Sequence, residues 1–238
     1  MFSDKDIEIA MSDWQRTSEL EGIFIDNFNK NNLTPVGYDL RVGDEGFSWN
    51  KKSVIEIGKD GKIQIDAHDT VFIRTLESVK LSKKVSGTVH SIVSKIVIKG
   101  LSDISTTIDP GWSGRLLISV HNHRDSYTEL FFKEDFCTVC FYKVGLDSEI
   151  NRSAQADRLD LWYQLLNIAS REKDRIDREE KERNKNRNQL LIYSVILAFI
   201  IGIGLSWYNS NLGASIAAFL AVVAPIIYDQ FLKPISRP

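Results

Sequence analysis

Thr106-Thr107-Ile108-Asp109-Pro110-Gly111-Trp112-Ser113-Gly114, leading into the strand-like stretch Arg115 to Asn122, holds the residues best placed for recognition chemistry. Pro110-Gly111 and Gly114 specify a tight hairpin whose exposed peptide groups can pair with the edge of a heterocyclic base. Asp109 at its entrance can accept a hydrogen bond from a sugar hydroxyl, and Trp112 offers an apolar wall. Taken alone, an Asp-Pro-Gly hairpin is equally an ordinary turn, and Trp112 an ordinary core residue. A second segment, Leu33-Thr34-Pro35-Val36-Gly37-Tyr38-Asp39-Leu40-Arg41-Val42-Gly43, adds a carboxylate between apolar positions. A third, Ser94-Lys95-Ile96-Val97-Ile98-Lys99-Gly100, brings a hydroxyl and two cations, Lys95 and Lys99.

The remaining chemistry-bearing residues point to little. Cys137 and Cys140, the only two cysteines, face opposite sides of a strand-like stretch. They fit core or near-core thiols in a reducing compartment better than a redox or metal CxxC, since no second pair completes a site. His121 and His123 share a strand face without an acidic or Cys partner. There is no zinc, Ser-His-Asp or P-loop constellation, so neither a metal nor a resident cofactor is expected. With a net charge of -2 and no basic face interleaved with aromatics before residue 170, nucleic acid is not an expected partner.

Short alternating or wholly apolar runs must position these residues: Ser53 to Ile57, Lys62 to Ile65, Thr70 to Ile73, Leu116 to Val120 and Thr138 to Tyr142. Polar turns such as Gly58-Lys59-Asp60-Gly61 separate them, the pattern of a compact all-β barrel or sandwich. A helix is predicted before them, over roughly Asp4 to Glu21. Another follows, from about Ser153 to Gln189, and places Leu159, Trp162, Leu166, Ala169 and Ile176 at three- and four-residue steps. That seam fits a coiled-coil stalk; a solvated linker helix reads equally well.

The last quarter changes solvent. Leu190 to Tyr208 and Leu212 to Tyr228 are uncharged apolar runs separated by Asn209, Ser210 and Asn211, each close to the length that spans a bilayer. Arg183, Lys185 and Arg187 precede the first, Lys233 and Arg237 follow the second, and the turn between has no basic residue. Both ends therefore face the cytoplasm. Small residues offer close-packing faces, Gly202 and Gly204 in the first run and Ala214, Ala217, Ala218 and Ala221 in the second. The expected organisation is a binding domain over 1–150, a charged helical linker over 151–189 and a transmembrane hairpin over 190–232.

Together the 33–43 and 106–114 segments resemble the dCTP deaminase and dUTPase superfamily, over roughly residues 30 to 145. The resemblance implies a mainly β fold, a distorted dUTPase-like barrel that assembles as a homotrimer or higher homo-oligomer, with pyrimidine nucleotide sites at the subunit interfaces. Ligand contacts would fall on Ser94, Lys95, Thr106, Thr107, Asp109, Trp112 and Ser119. Three departures argue against catalysis. The proton-shuttling glutamate of the deaminases aligns with Ser119, whose hydroxyl cannot take up and return a proton as a carboxylate does. The arginine of the phosphate-binding segment aligns with Ile98, and a charged helix replaces the glycine-rich arm that closes over the triphosphate in dUTPases. No catalytic residue is assigned.

A nucleotide domain without its catalytic groups, joined to a two-helix membrane segment, resembles the membrane effectors of bacterial cyclic-pyrimidine (Pycsar-type) antiphage systems. That likeness implies cyclic CMP or cyclic UMP as ligand, the lipid bilayer as partner, a multi-pass location in the bacterial inner membrane, and membrane disruption with growth arrest as output. The alternative is a membrane-tethered dUTP or dCTP pyrophosphatase using Asp109 and Asp39 with Mg2+.

Overall fold

A computed structural model describes residues 1–12, 14, 22–58, 61–146 and 156–208. Helix α1 (Asp4–Ser12) comes first; the rest of the helix predicted up to Glu21, apart from the helical Trp14, lies outside the described residues. The strands are β1 (Ile23–Ile25), β2 (Leu33–Thr34), β3 (Gly37–Ser48), β4 (Ser53–Glu56), β5 (Lys62–Ile65), β6 (Thr70–Leu81), β7 (Val85–Ser91), β8 (Leu101–Asp103), β9 (Thr107–Ile108), β10 (Ser113–Asn122), β11 (Thr128–Phe131) and β12 (Asp135–Lys143). Helix α2 (Val93–Ile96) lies between β7 and β8, and α3 (Leu159–Tyr208) closes the described chain. Every apolar run read as a strand from the sequence forms one.

Ten strands make one antiparallel sheet with the path β8-β10-β6-β3-β12-β7-β9, while β1 pairs with β6, and β2 and β4 pair with β3. The result is a mostly β half-barrel, within the all-β barrel or sandwich class that the sequence predicts. Register shifts at Val42/Gly46, Arg115/Leu117 and Asp135/Cys137 bend the long strands, because an extra residue on one side of a ladder raises the local twist. Alternation along β6 turns Val71, Ile73, Val79 and Leu81 inward, against Leu40, Val42, Ile118, Val120, Phe136 and Val139. The same alternation turns Thr75 and Glu77 inward, and both are fully buried.

Cys137 and Cys140 are free thiols, buried on opposite faces of β12, as their spacing requires. Burial pushes both pKa values up, so neither has thiolate character. A water-soluble disulfide reagent should leave both unmodified in the folded protein and titrate both after unfolding; rapid modification of either in the native state would contradict this packing.

The chain divides into two compact units, Met1–Glu172 and Lys173–Pro238. The first runs past the expected limit at 150 because the start of α3 belongs to it. Trp162 and Leu165 are buried with Phe47, and Val54, Phe72, Leu117, Leu166, Ile168 and Ala169 pack around them. Arg74 sets its guanidinium 5.4 Å from the Trp162 ring centroid. The apolar stripe expected to pair with neighbouring helices is thus covered, as far as Ala169, by the sheet of its own chain. Ile176, the last residue of that stripe, is 45 % exposed.

The second unit carries the rest of α3: the charged stretch, then the apolar run. An 18-residue window reaches a mean hydropathy of 1.6, long and apolar enough to span a membrane by length and composition. Leu190, Tyr193, Leu197, Phe199 and Ile200 are all exposed. The helix passes from its charged to its apolar part without a break. The second apolar run, Leu212 to Tyr228, lies outside the described residues.

Candidate functional site

The hairpin from Thr106 to Gly114 joins β9 to β10. Its turn closes with the Trp112 N–H donating to the Asp109 carbonyl at 3.2 Å, Pro110 and Gly111 at its centre and Gly111 at φ +80, the geometry in which glycine is favoured after proline. The turn is fastened to the end of β6: Gly111 N–H donates to the Ser82 carbonyl at 3.1 Å, and Leu81 N–H donates to the Trp112 carbonyl at 2.9 Å. Two N–H groups and two carbonyls of the turn are therefore engaged within the chain. What the hairpin presents outward is the side chains of Thr106, Thr107 and Asp109, all exposed. Trp112 is half-buried against the main core, and its indole N–H donates to the Gly114 carbonyl at 3.1 Å.

Gly114 fixes what lies behind the hairpin. At φ +133 it occupies a conformation that L side chains rarely adopt, and a methyl group there would overlap the backbone nitrogen of Asp157. Asp157 belongs to the short 3-10 turn Ala156–Arg158 that feeds α3, and its carboxylate accepts from the Arg115 N–H at 2.6 Å. The candidate recognition hairpin and the entry to α3 are thus in direct contact.

Ser119 sits on β10 opposite Phe72, on the outward side with Leu117 and His121. His121 and His123 share that face, their rings 4.6 Å apart, bonded to Thr70 at 3.0 Å and Ser102 at 2.7 Å respectively. No cluster of metal-ligating residues occurs among the described residues.

Ser94 and Lys95 lie on α2, which continues into a 3-10 turn, Val97–Lys99, and ends at Gly100 in the left-handed conformation. Ser94 is exposed. Lys95 Nζ pairs with Asp135 at 2.5 Å, and Asp135 also accepts from the Asn32 side-chain amide at 2.5 Å. Lys99 Nζ pairs with Glu134 at 2.5 Å and donates to the Glu129 carbonyl at 3.0 Å. Beside them Thr138 donates to Asp39 at 2.6 Å. Burial, with the charge of Asp135 nearby, pushes the Asp39 carboxyl up against that hydrogen bond. Ile98 is 82 % exposed.

These groups continue into a polar stretch of sheet. Thr107 on β9 faces Thr88 on β7, Thr88 bonds His90 at 2.7 Å, and His90 faces Thr138 on β12. Sequence reasoning found Asp39, Ser94, Lys95 and Thr107 but missed Thr88, His90, Glu134, Asp135 and Thr138. For Thr138 a signal existed: with Tyr142 it forms the polar side of the alternation along β12.

The candidate residues fall into two sets. Thr107 on β9 and Asp39 on β3, with Lys95 on α2 tied to β12 through Asp135, lie along the path β9-β7-β12-β3, whereas Ser119 lies on β10, separated from β12 by β6 and β3. An open depression of about 530 Å³ lies elsewhere, lined by Asp4, Lys5, Glu8, Lys30, Leu33, Thr34 and Pro35.

Residues 9–144 match the dCTP deaminase-like family. The dCTP deaminase of Pyrococcus horikoshii is 35 % identical over 136 residues, 57 % of this chain and 83 % of that protein. The dCTP deaminase of Pyrococcus furiosus is 34 % identical over 136 residues, with the same coverage, 57 % and 83 %. Among solved structures, the 2'-deoxycytidine 5'-triphosphate deaminase of Agrobacterium tumefaciens is similar with a TM-score of 0.49 and 12 % identity, over 64 % of this chain and 50 % of that one. From its outward polar sheet to its Asp-Pro-Gly hairpin, the β domain of this chain belongs to the dCTP deaminase-like family.

Proposed function

We propose that the chain is a membrane-anchored receptor for a pyrimidine nucleotide, the ligand being cyclic CMP or cyclic UMP and the output a disturbance of the bacterial inner membrane that arrests growth during phage infection. The observation that carries this reading is the pairing of Ser119 with α3. By the resemblance, Ser119 on β10 takes the place of the deaminases' glutamate, and the same chain continues into a helix long and apolar enough to span a bilayer. Without a carboxylate at that point, water attack on a cytosine ring has no group to shuttle its proton. The family and its dCTP deaminase relatives support a nucleotide ligand.

The separation of Ser119 from Lys95 supports a homotrimer, because a site shared between subunits takes one set of residues from each neighbour. In this reading the apolar run 212–228 would be the second span, by its sequence alone, with the N-terminal domain and the C-terminus cytoplasmic. Turning a mostly silent protein into a mostly active one needs a ligand that prefers the active arrangement by about 5.5 kcal/mol, which three equivalent sites bring within reach.

Calorimetric titration of the detergent-solubilised full chain with cyclic CMP and cyclic UMP, beside assays for ammonia release from dCTP and pyrophosphate release from dUTP and dCTP, tests the reading. Saturable binding of one cyclic nucleotide without turnover is the expected result. Turnover abolished by Asp109→Asn would overturn it, in favour of a membrane-tethered nucleotide hydrolase if pyrophosphate is the product, or of a deaminase, the activity in the names of the relatives, if it is ammonia.

A further inference from the structure

At the phosphate-facing segment, both lysines already have partners. Lys95 is held by Asp135, and Lys99 by Glu134 and the Glu129 carbonyl, with its ammonium also 5.7 Å from the centroid of the Phe131 ring. The pairs are partly shielded from solvent: side-chain exposures are 41 % and 26 % for Lys95 and Asp135, and 24 % and 22 % for Lys99 and Glu134. With Asp39 beside Asp135, three carboxyl groups stand against two ammonium groups. Ile98, Val97 and Val93 on the same segment are exposed, and the Arg124 stem lies close against Gly100.

We infer that Asp135 and Glu134 are specificity determinants: they compete with a ligand's phosphate for Lys95 and Lys99, so that the site accepts a ligand with one phosphate charge and turns away a polyphosphate. This rests on the nucleotide reading above. A triphosphate brings several negative charges to a segment whose cations are neutralised, and it must displace two ion pairs before gaining any. A single phosphodiester or monophosphate charge needs at most one such exchange. The carboxylates thus set the ligand class through repulsion, a device by which specificity is often obtained.

Asp135→Asn tests this without removing bulk or the acceptor that Asn32 uses. In the detergent-solubilised full chain, calorimetry with dCTP and cyclic CMP should show the variant binding dCTP at least about tenfold more tightly than the wild type, a change of about 1.4 kcal/mol. Cyclic CMP affinity should rise by a smaller factor than dCTP affinity, since a single charge makes at most one exchange. Adding Lys95→Met to Asp135→Asn should abolish the gain, and raising the salt concentration should shrink it, since the effect is Coulombic. Unchanged or weaker dCTP binding by a folded Asp135→Asn, in a protein that still binds cyclic CMP, would overturn this inference alone. Failure of every nucleotide to bind either protein would overturn the nucleotide reading and this inference with it.

Discussion

Replacing Arg41 by methionine is expected to cost the fold about 3–5 kcal/mol at neutral pH, since it strands a buried charge. The Glu77 side chain is 0 % exposed and that of Arg41 12 %. Glu77 accepts from the Arg41 backbone N–H at 2.8 Å and from Arg41 Nε at 2.6 Å, while Arg41 Nη2 donates to the Asn27 carbonyl at 2.6 Å. In the variant the backbone N–H survives, but the guanidinium is lost and Asn27 loses its donor.

The pH dependence separates this cause from simple loss of packing. Burial pushes the Glu77 carboxyl up, and the hydrogen bonds and charge of Arg41 are what oppose it. An acid whose pKa is higher folded than unfolded binds its proton more tightly in the native state. Its favourable contribution is complete below the unfolded value and is lost as pH rises through the folded one. Without Arg41 the folded value climbs further, so the deficit of the variant should shrink as pH falls from about 7 toward 5. Urea unfolding of both proteins at the two pH values measures this. Adding Glu77→Gln should recover part of the loss, because the stranded charge is gone. A deficit independent of pH and untouched by Glu77→Gln would refute the account.

That same pair explains where the sequence was hard to read. Thr70 to Ile73 was legible as a strand from its alternation, yet β6 runs on to Leu81, because Thr75 and Glu77 take the inward positions where an apolar residue signals a core face. Their partners, Arg41 and the Leu116 N–H that donates to Thr75 at 2.9 Å, are about 36 and 41 residues away and leave no local trace. The hairpin at Asp109-Pro110-Gly111 was legible because turn chemistry is local; its fastening to Leu81 and Ser82 was not. Likewise α3 showed an apolar stripe at Trp162, Leu166 and Ala169 in its periodicity, but periodicity gives the stripe and not its cover, which is the outer side of β3, β6 and β10. The acidic partners of Lys95 and Lys99 sit 40 and 35 residues downstream, so the segment read as basic when its charges are already met.

Gly114→Ala is expected to lower stability by roughly 3 kcal/mol, combining the strain of a side chain at positive φ with overpacking against a neighbouring backbone. Gly114 sits at φ +133, and the added methyl would overlap the Asp157 nitrogen. The neighbour cannot easily retreat. Asp157 and Arg158 are themselves left-handed, at φ 60 and φ 49, and Asp157 is anchored through its bond to the Arg115 N–H. Arg115 in turn donates to the Thr75 carbonyl at 2.5 Å and to Asp44 at 2.6 Å, which ties this corner to β6 and β3. The variant must therefore either distort the start of β10 or release the turn at 156–158. Release would expose that turn to protease and free the buried Trp162, raising its fluorescence response to quenchers. Asp157→Asn, which keeps an acceptor and tolerates the left-handed region, should stay within about 0.5 kcal/mol of the wild type. In the receptor reading the hairpin's outward side chains survive Gly114→Ala, so nucleotide binding should persist while its effect on vesicle leakage is lost. Wild-type stability together with full leakage in Gly114→Ala would show that this contact couples nothing.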